Sequence, residues 1–171
     1  MIKSLPQLDK QAFELLLNRA GISFEDLSRN DNRSQFPSDA RNLDYRLRTE
    51  NNSEILVELE GRDAPKGRIQ PSKAWLKENE LFAMTTWENA GSNRMSLIVF
   101  AFRSEDPFHL HEADLILQGV RYVMLGIKAR DYALARKARC TKEGWATCDL
   151  KLGEFERLSH PIDDYFGSKS L

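Results

Sequence analysis

The sequence predicts an α/β fold: a single domain with a mixed central β-sheet flanked by helices. Three observations predict it. Residues 43–49 and 54–62 each alternate apolar and polar side chains around the turn-forming stretch ENNS (50–53), the pattern of a β-hairpin. The run MSLIVFAFRS (95–104) is continuously apolar, as expected of a central strand covered on both faces. Helical spacing surrounds these strands, first in residues 9–20, where Phe13, Leu16, Leu17 and Ala20 form one stripe.

In chain order, the helix of residues 9–20 has Asp9 as its predicted N-cap and Gly21 as its C′ residue. Residues 23–29 are expected to add a short second helix, with Ser23 and Asp26 in the pattern of a capping box. Residues 29–42 are polar without an apolar period and read as a long loop. The hairpin follows, then the charged loop GRDAPKGRIQPS and a helix over about 72–90. That helix is capped by Ser72, with Trp75, Leu76, Leu81 and Phe82 on its buried side. After the apolar strand come a helix around 112–118, a strand over 121–129, and a basic segment, 130–142, that is either a helix or a long loop. WATCDLKL (145–152) alternates as a strand, GEFERL is a short helix, and the tail from His160 is expected to fray. The core spans about 9–129, with a C-terminal strand and short helix over 145–159.

The chain has 171 residues, long enough for one sizeable core, and its 41% hydrophobic and 30% charged residues exclude a disordered chain. Lys and Arg number 25 against 26 Asp and Glu, a balance that does not itself announce a nucleic-acid binder. The distribution is uneven: residues 121–142 hold seven Lys and Arg against one acid, Asp131. Cys140 and Cys148 are too few for a disulfide framework, no stretch approaches the ~18 apolar residues of a membrane span, and no N-terminal run resembles a signal peptide. A cytoplasmic protein with no membrane partner is the expectation.

The chemistry concentrates in EILVELEGRD, Glu54 to Asp63. Even positions of a strand share a face, so Glu58, Glu60 and Arg62 project together beside Leu56. Such a face is either the wet side of a sheet lined by ion pairs or a metal-assisted hydrolytic site. In the second case carboxylates hold Mg²⁺ or Mn²⁺, which polarises a phosphate and lowers the pKa of an attacking water. The hairpin register decides whether Asp44 joins them. A loop of two or four residues faces Asp44 away, whereas three residues or a bulge places it opposite Glu58 or Glu60.

LDYRLRTENNSEILVELEGRD resembles the core of the PD-(D/E)xK nuclease superfamily, nearest to the RecU-type Holliday-junction resolvases. In these a strand bearing Asp-Tyr precedes one ending in Glu-Ala-Lys. The resemblance runs through the following helix, the apolar strand SLIVFAFR and the element FHLHEADLI, about residues 10–118. It implies a restriction-endonuclease-like fold and a Mg²⁺- or Mn²⁺-dependent DNA endonuclease, acting as a homodimer on branched DNA. It also implies that Asp44 and Glu60 ligate metal, that Glu14 supplies an extra acid, and that Glu58 assists or substitutes for Glu60. Arg62 stands where the family has lysine, and no Pro-Asp pair accompanies Asp44. An arginine stays protonated, so Arg62 is expected to stabilise transition-state charge and not to act as a base.

Lys66 and Arg68, in a glycine-containing loop, and Arg136, Lys137 and Arg139, near Trp145, are the candidate DNA-phosphate contacts. An alternative metal site uses His109 and His111, an HxH pair whose imidazoles would share one face of a strand. That alternative makes the chain a His-based metal hydrolase. A further alternative is a non-catalytic nuclease-fold protein that binds nucleic acid or a protein partner. No Walker or GxGxxG loop and no nucleophile elbow is present.

Overall fold

Helix α1 (Leu5–Arg19) begins four residues before the predicted start. Its N-cap is Ser4, whose N–H donates to Gln7 Oε1 at 3.0 Å, and Pro6 lies in the first turn, where its missing N–H does no harm. Asp9 is therefore inside the helix and buried. Gly21 follows the C-cap at φ 69°, the left-handed conformation that its position predicts. The computed structural model describes residues 4–29, 43–49, 53–70, 74–140 and 146–166.

Residues 23–29 are not a helix. Ser23–Asp26 form strand β1, which pairs antiparallel with β2 (Tyr45–Arg48). A 3-10 turn, Leu27–Arg29, follows, and Asp26 ends the strand by accepting the Ser28 N–H at 2.9 Å. β2 pairs antiparallel with β3 (Glu54–Asp63), as the hairpin pattern predicts. After a 3-10 turn, Pro65–Gly67, Leu76–Lys77 form the short strand β4, and α2 (Glu78–Asn89) starts only there. The predicted helix start is thus too early, because Leu76 and Lys77 are taken up by strand pairing; the expected cap, Ser72, lies outside the described residues. Leu76 and Leu81 are buried as expected, whereas Trp75 and Phe82 are exposed.

β5 (Arg94–Ser104) is the buried central strand, parallel to β3 along ten residue pairs and joined to it through α2. The helix predicted around 112–118 is instead β6 (Leu115–Leu117), a hairpin with β7 (Val120–Lys128). Gln118 and Gly119, at φ 52° and 83°, make its two-residue turn, and that turn chemistry overrides the helical reading. The basic segment divides into α3 (Ala129–Ala135) and β8 (Lys137–Cys140). β9 (Ala146–Asp149) and α4 (Leu152–Leu158) match the predicted strand and short helix. The tail is not frayed through Phe166. β10 (His160–Pro161) pairs with β7 and α5 (Asp163–Phe166) follows, anchored by buried Ile162 and by Tyr165 Oη donating to Gly126 O at 2.9 Å.

The result is a single α/β domain. Its main sheet has the order β1-β2-β3-β5-β7-β10, with β6 also on β7, and mixes one parallel pair with antiparallel neighbours. A small sheet, β4-β9-β8, lies beside it. One face of the main sheet packs Val57, Val99 and Tyr45 against α1, with Phe13 meeting Tyr45 edge-on. The other packs Leu56, Ile98, Phe100 and Phe102 against α2, α3 and α4. Among the described residues no helix is long and apolar enough to cross a membrane.

Candidate metal centre

The parallel β3–β5 pair forces its connecting helix onto one face of the sheet, and the first turn of α2 comes to rest beside the even positions of β3. Glu80 enters there. Glu58, Glu60 and Glu80 each bring a carboxylate oxygen within 4.8 Å of the other two. Glu58 and Glu80 are 7% and 8% exposed, and Oε2 of each has no hydrogen-bond partner among the described residues. Buried carboxylate oxygens without donors are costly, since desolvation is then uncompensated. Hard oxygen donors in a group of three fit Mg²⁺ or Mn²⁺.

The electrostatics follow from this crowding. Burial first, then the neighbouring charges of Asp44, Glu80 and Glu60, push the Glu58 carboxyl well above its ordinary 4.5. Burial also raises Glu60, opposed by the Arg62 guanidinium. Two cations border the group. Arg62 Nη1 lies 2.6 Å from Glu60 Oε2, and Lys77 Nζ lies 2.8 Å from Glu80 Oε1. The hydrogen bond to Glu80, and then its charge, hold the Lys77 ammonium above its usual range.

Arg62 is fixed. Its guanidinium donates to Gly61 O at 2.9 Å and to Trp75 O at 2.8 Å, and it sits 4.8 Å from the Trp75 ring centre. This explains why Trp75 is not inside the core: its ring covers the arginine while staying partly in solvent.

Asp44 is opposite Glu58 by register, as β2 and β3 pair Tyr45 with Val57 and Arg46 with Leu56. Thr49 N–H donates to Ser53 O at 3.0 Å, leaving three residues between them, which is the register that brings Asp44 toward the glutamates. Its carboxylate nevertheless turns to the strand edge. Oδ2 accepts the Leu59 N–H at 3.1 Å and Oδ1 meets Lys10 Nζ at 2.6 Å. Asp44 therefore reaches Glu58 and Glu60 through its charge and stays outside the group of three oxygens.

Glu14 lies elsewhere. It accepts the Tyr45 hydroxyl at 3.1 Å, and Tyr45 belongs to the α1 face of the sheet. His109 and His111 are exposed and sit in a loop, not on a strand; His109 Nε2 is 2.9 Å from Lys66 O. Lys66 and Arg68 are exposed just past the C-terminal end of β3. Lys137 is exposed, and Arg136 lies 3.6 Å from Glu78, lining a 390 Å³ groove between α2 and α3 that excludes the three glutamates. The Arg139 side chain and Trp145 lie outside the described residues. Cys148 is a buried free thiol, pushed up to about 11 by burial, and is chemically quiet.

Glu80 and Lys77 are the residues that sequence reasoning missed. A signal for Glu80 was present: it occupies the buried stripe with Leu81, Met84 and Trp87, an acid on an otherwise apolar helix face. Comparison with family models, with curated proteins and with solved structures finds no match.

Proposed function

We propose that this chain is a metal-dependent phosphodiester hydrolase acting on DNA, with Glu58, Glu60 and Glu80 holding Mg²⁺ or Mn²⁺. The observation that carries the reading is the pair of buried carboxylate oxygens of Glu58 and Glu80, with no donor among the described residues, within one small group. Asp9 Oδ1 also has no partner among the described residues, but Asp9 pairs with Arg103 through its other oxygen, whereas Glu58 and Glu80 stand within one group of three carboxylates. The cation supplies Lewis-acid polarisation of a phosphate and a more acidic bound water.

The protein's own residues do the rest. Glu58 and Glu80 present ligands from a strand and a helix that the β3–β5 pairing holds in register. Arg62 orients Glu60 and does not take a proton. Asp44, held by Lys10, adds negative potential from the strand edge. Lys66 and Arg68 offer phosphate contacts beyond the end of β3.

The hairpin, the helical crossover and the parallel apolar strand are compatible with a restriction-endonuclease-like fold of the PD-(D/E)xK kind; a homodimer and branched DNA enter the proposal from the sequence resemblance alone. The test is cleavage of branched and linear DNA with Mg²⁺ or Mn²⁺, beside calorimetric Mn²⁺ binding, for wild type and Glu60→Ala. Metal binding with cleavage that the variant loses is expected. No cleavage of any substrate, or cleavage unchanged in the variant, sinks the proposal; DNA binding without cleavage favours a non-catalytic nuclease-fold protein.

A further inference from the structure

Two cations border the three glutamates, and they differ in what they are free to do. Arg62 is 12% exposed and is committed to Glu60, to two backbone carbonyls and to the Trp75 ring. Moving it toward a substrate would break all four contacts and strip Glu60 of its counter-charge. Lys77 is 48% exposed, and its one hydrogen bond among the described residues goes to Glu80. An ammonium has three donors on a flexible four-carbon stem, so a phosphate oxygen can be met while the backbone stays in place. That backbone is fixed on both sides, by the pairing of Lys77 with Thr147 and by the start of α2.

We propose that Lys77, and not Arg62, is the cation that contacts the anionic phosphate of the substrate at this site. The inference rests on the metal-dependent reading and adds a residue to it. Glu80, one of the carboxylates that would hold a divalent cation, already has Lys77 Nζ at 2.8 Å, so Lys77 is its counter-charge in the metal-free chain. Its ammonium is then available to a non-bridging phosphate oxygen once Glu80 is engaged elsewhere. No proton leaves Lys77 in this role; its contribution is a charged donor aimed at the phosphate.

Metal affinity and turnover should move in opposite directions, which a purely structural lysine would not produce. Lys77→Met removes a competing charge from Glu80 and removes the phosphate contact. Mn²⁺ binding, measured by calorimetry on the full chain, is expected to tighten by about two- to fivefold, the scale of a partly exposed ion pair. In cleavage of a linear DNA oligonucleotide with Mn²⁺, kcat is expected to fall by about 10²-fold. Lys77→Arg, which keeps the charge, is expected to restore most of kcat. Thermal melting of the variants establishes that they are folded.

Wild type that binds Mn²⁺ and cleaves, beside a Lys77→Met variant with kcat within about twofold, overturns this inference and leaves the metal-dependent reading standing. So does a variant that loses Mn²⁺ binding, since Lys77 would then be building the site. Should Lys77→Met not fold, Lys77→Gln carries the same comparison, and a kcat within about twofold of wild type in that variant overturns the inference. Wild type that neither binds Mn²⁺ nor cleaves overturns both readings.

Discussion

On one face of β3, Asp9 from α1 pairs with Arg103, which also lies 2.7 Å from Asp63; on the other, Glu58 meets Glu60 and Glu80. Asp9 and Glu58 are buried to a similar degree, and burial raises both carboxyls. Their neighbours differ. The strongest influence opposing burial at Asp9 is the Arg103 guanidinium, whereas the charges nearest Glu58 are mostly carboxylates. Gly61 lies on the Asp9 face. A Cβ there would overlap the Asp9 carboxylate and stand 2.6 Å from Arg103 Nη1, so the strand is bare where the ion pair crosses it. A buried acid given a cation by its own chain holds the fold together. A buried acid surrounded by other acids is held against its own preference, and the metal binding proposed above would relieve it.

The largest expected difference between the faces is in cleavage. Glu58→Gln or Glu80→Gln is expected to lower DNA cleavage by at least about 10²-fold, since removing even an outer partner of a metal ligand costs about 10- to 100-fold. The same variants are expected to melt at or above the wild-type temperature in EDTA, because a neutral amide relieves the repulsion. Unchanged cleavage would mean that both faces serve the fold alone.

Asp9→Ala is expected to act in the opposite sense, on stability. Removing one partner of a buried pair leaves Arg103 undercompensated, and denaturant unfolding should show a loss of about 3 kcal/mol. A loss below about 0.5 kcal/mol would mean that Asp63 alone satisfies Arg103. Gly61→Ala tests the crossing point itself. Its methyl must displace the Asp9–Arg103 pair, at about 2 kcal/mol.

The smallest effect is the pH dependence. Glu58 and Glu60 are held above their ordinary 4.5 in the folded chain. Between 4.5 and those raised values the folded state binds more protons than the unfolded one, so stability falls as pH rises through that window. Metal-free unfolding at about pH 5 and about pH 8 is expected to show greater stability at the lower pH. Mn²⁺ should reduce or reverse that difference, because it binds the deprotonated carboxylates. Glu58→Gln should flatten the metal-free slope; an unaltered slope would assign it to other groups.

Much of the fold was legible because its signals are local. Period-2 alternation marked the β2–β3 hairpin, continuous apolarity marked β5, and Gly21 marked the end of α1. The misreadings were also local: residues 23–29 and 112–118 contain helix-compatible residues whose state was decided by an available strand edge and a Gln118–Gly119 turn. For the candidate site, strand geometry alone placed Glu58, Glu60 and Arg62 on one face. Long-range packing decided everything else. Asp9 reads as a helix cap until Arg103, 94 residues away, claims it. Glu80 and Lys77 join the glutamates because parallel strands need a crossover, and the crossover helix must lie on the sheet. Local pattern was thus enough for the hairpin, the central strand and the acidic face. Which acids meet, which have a cation of their own and which do not was settled by packing, because charge partners are chosen by distance in space and not by spacing along the chain.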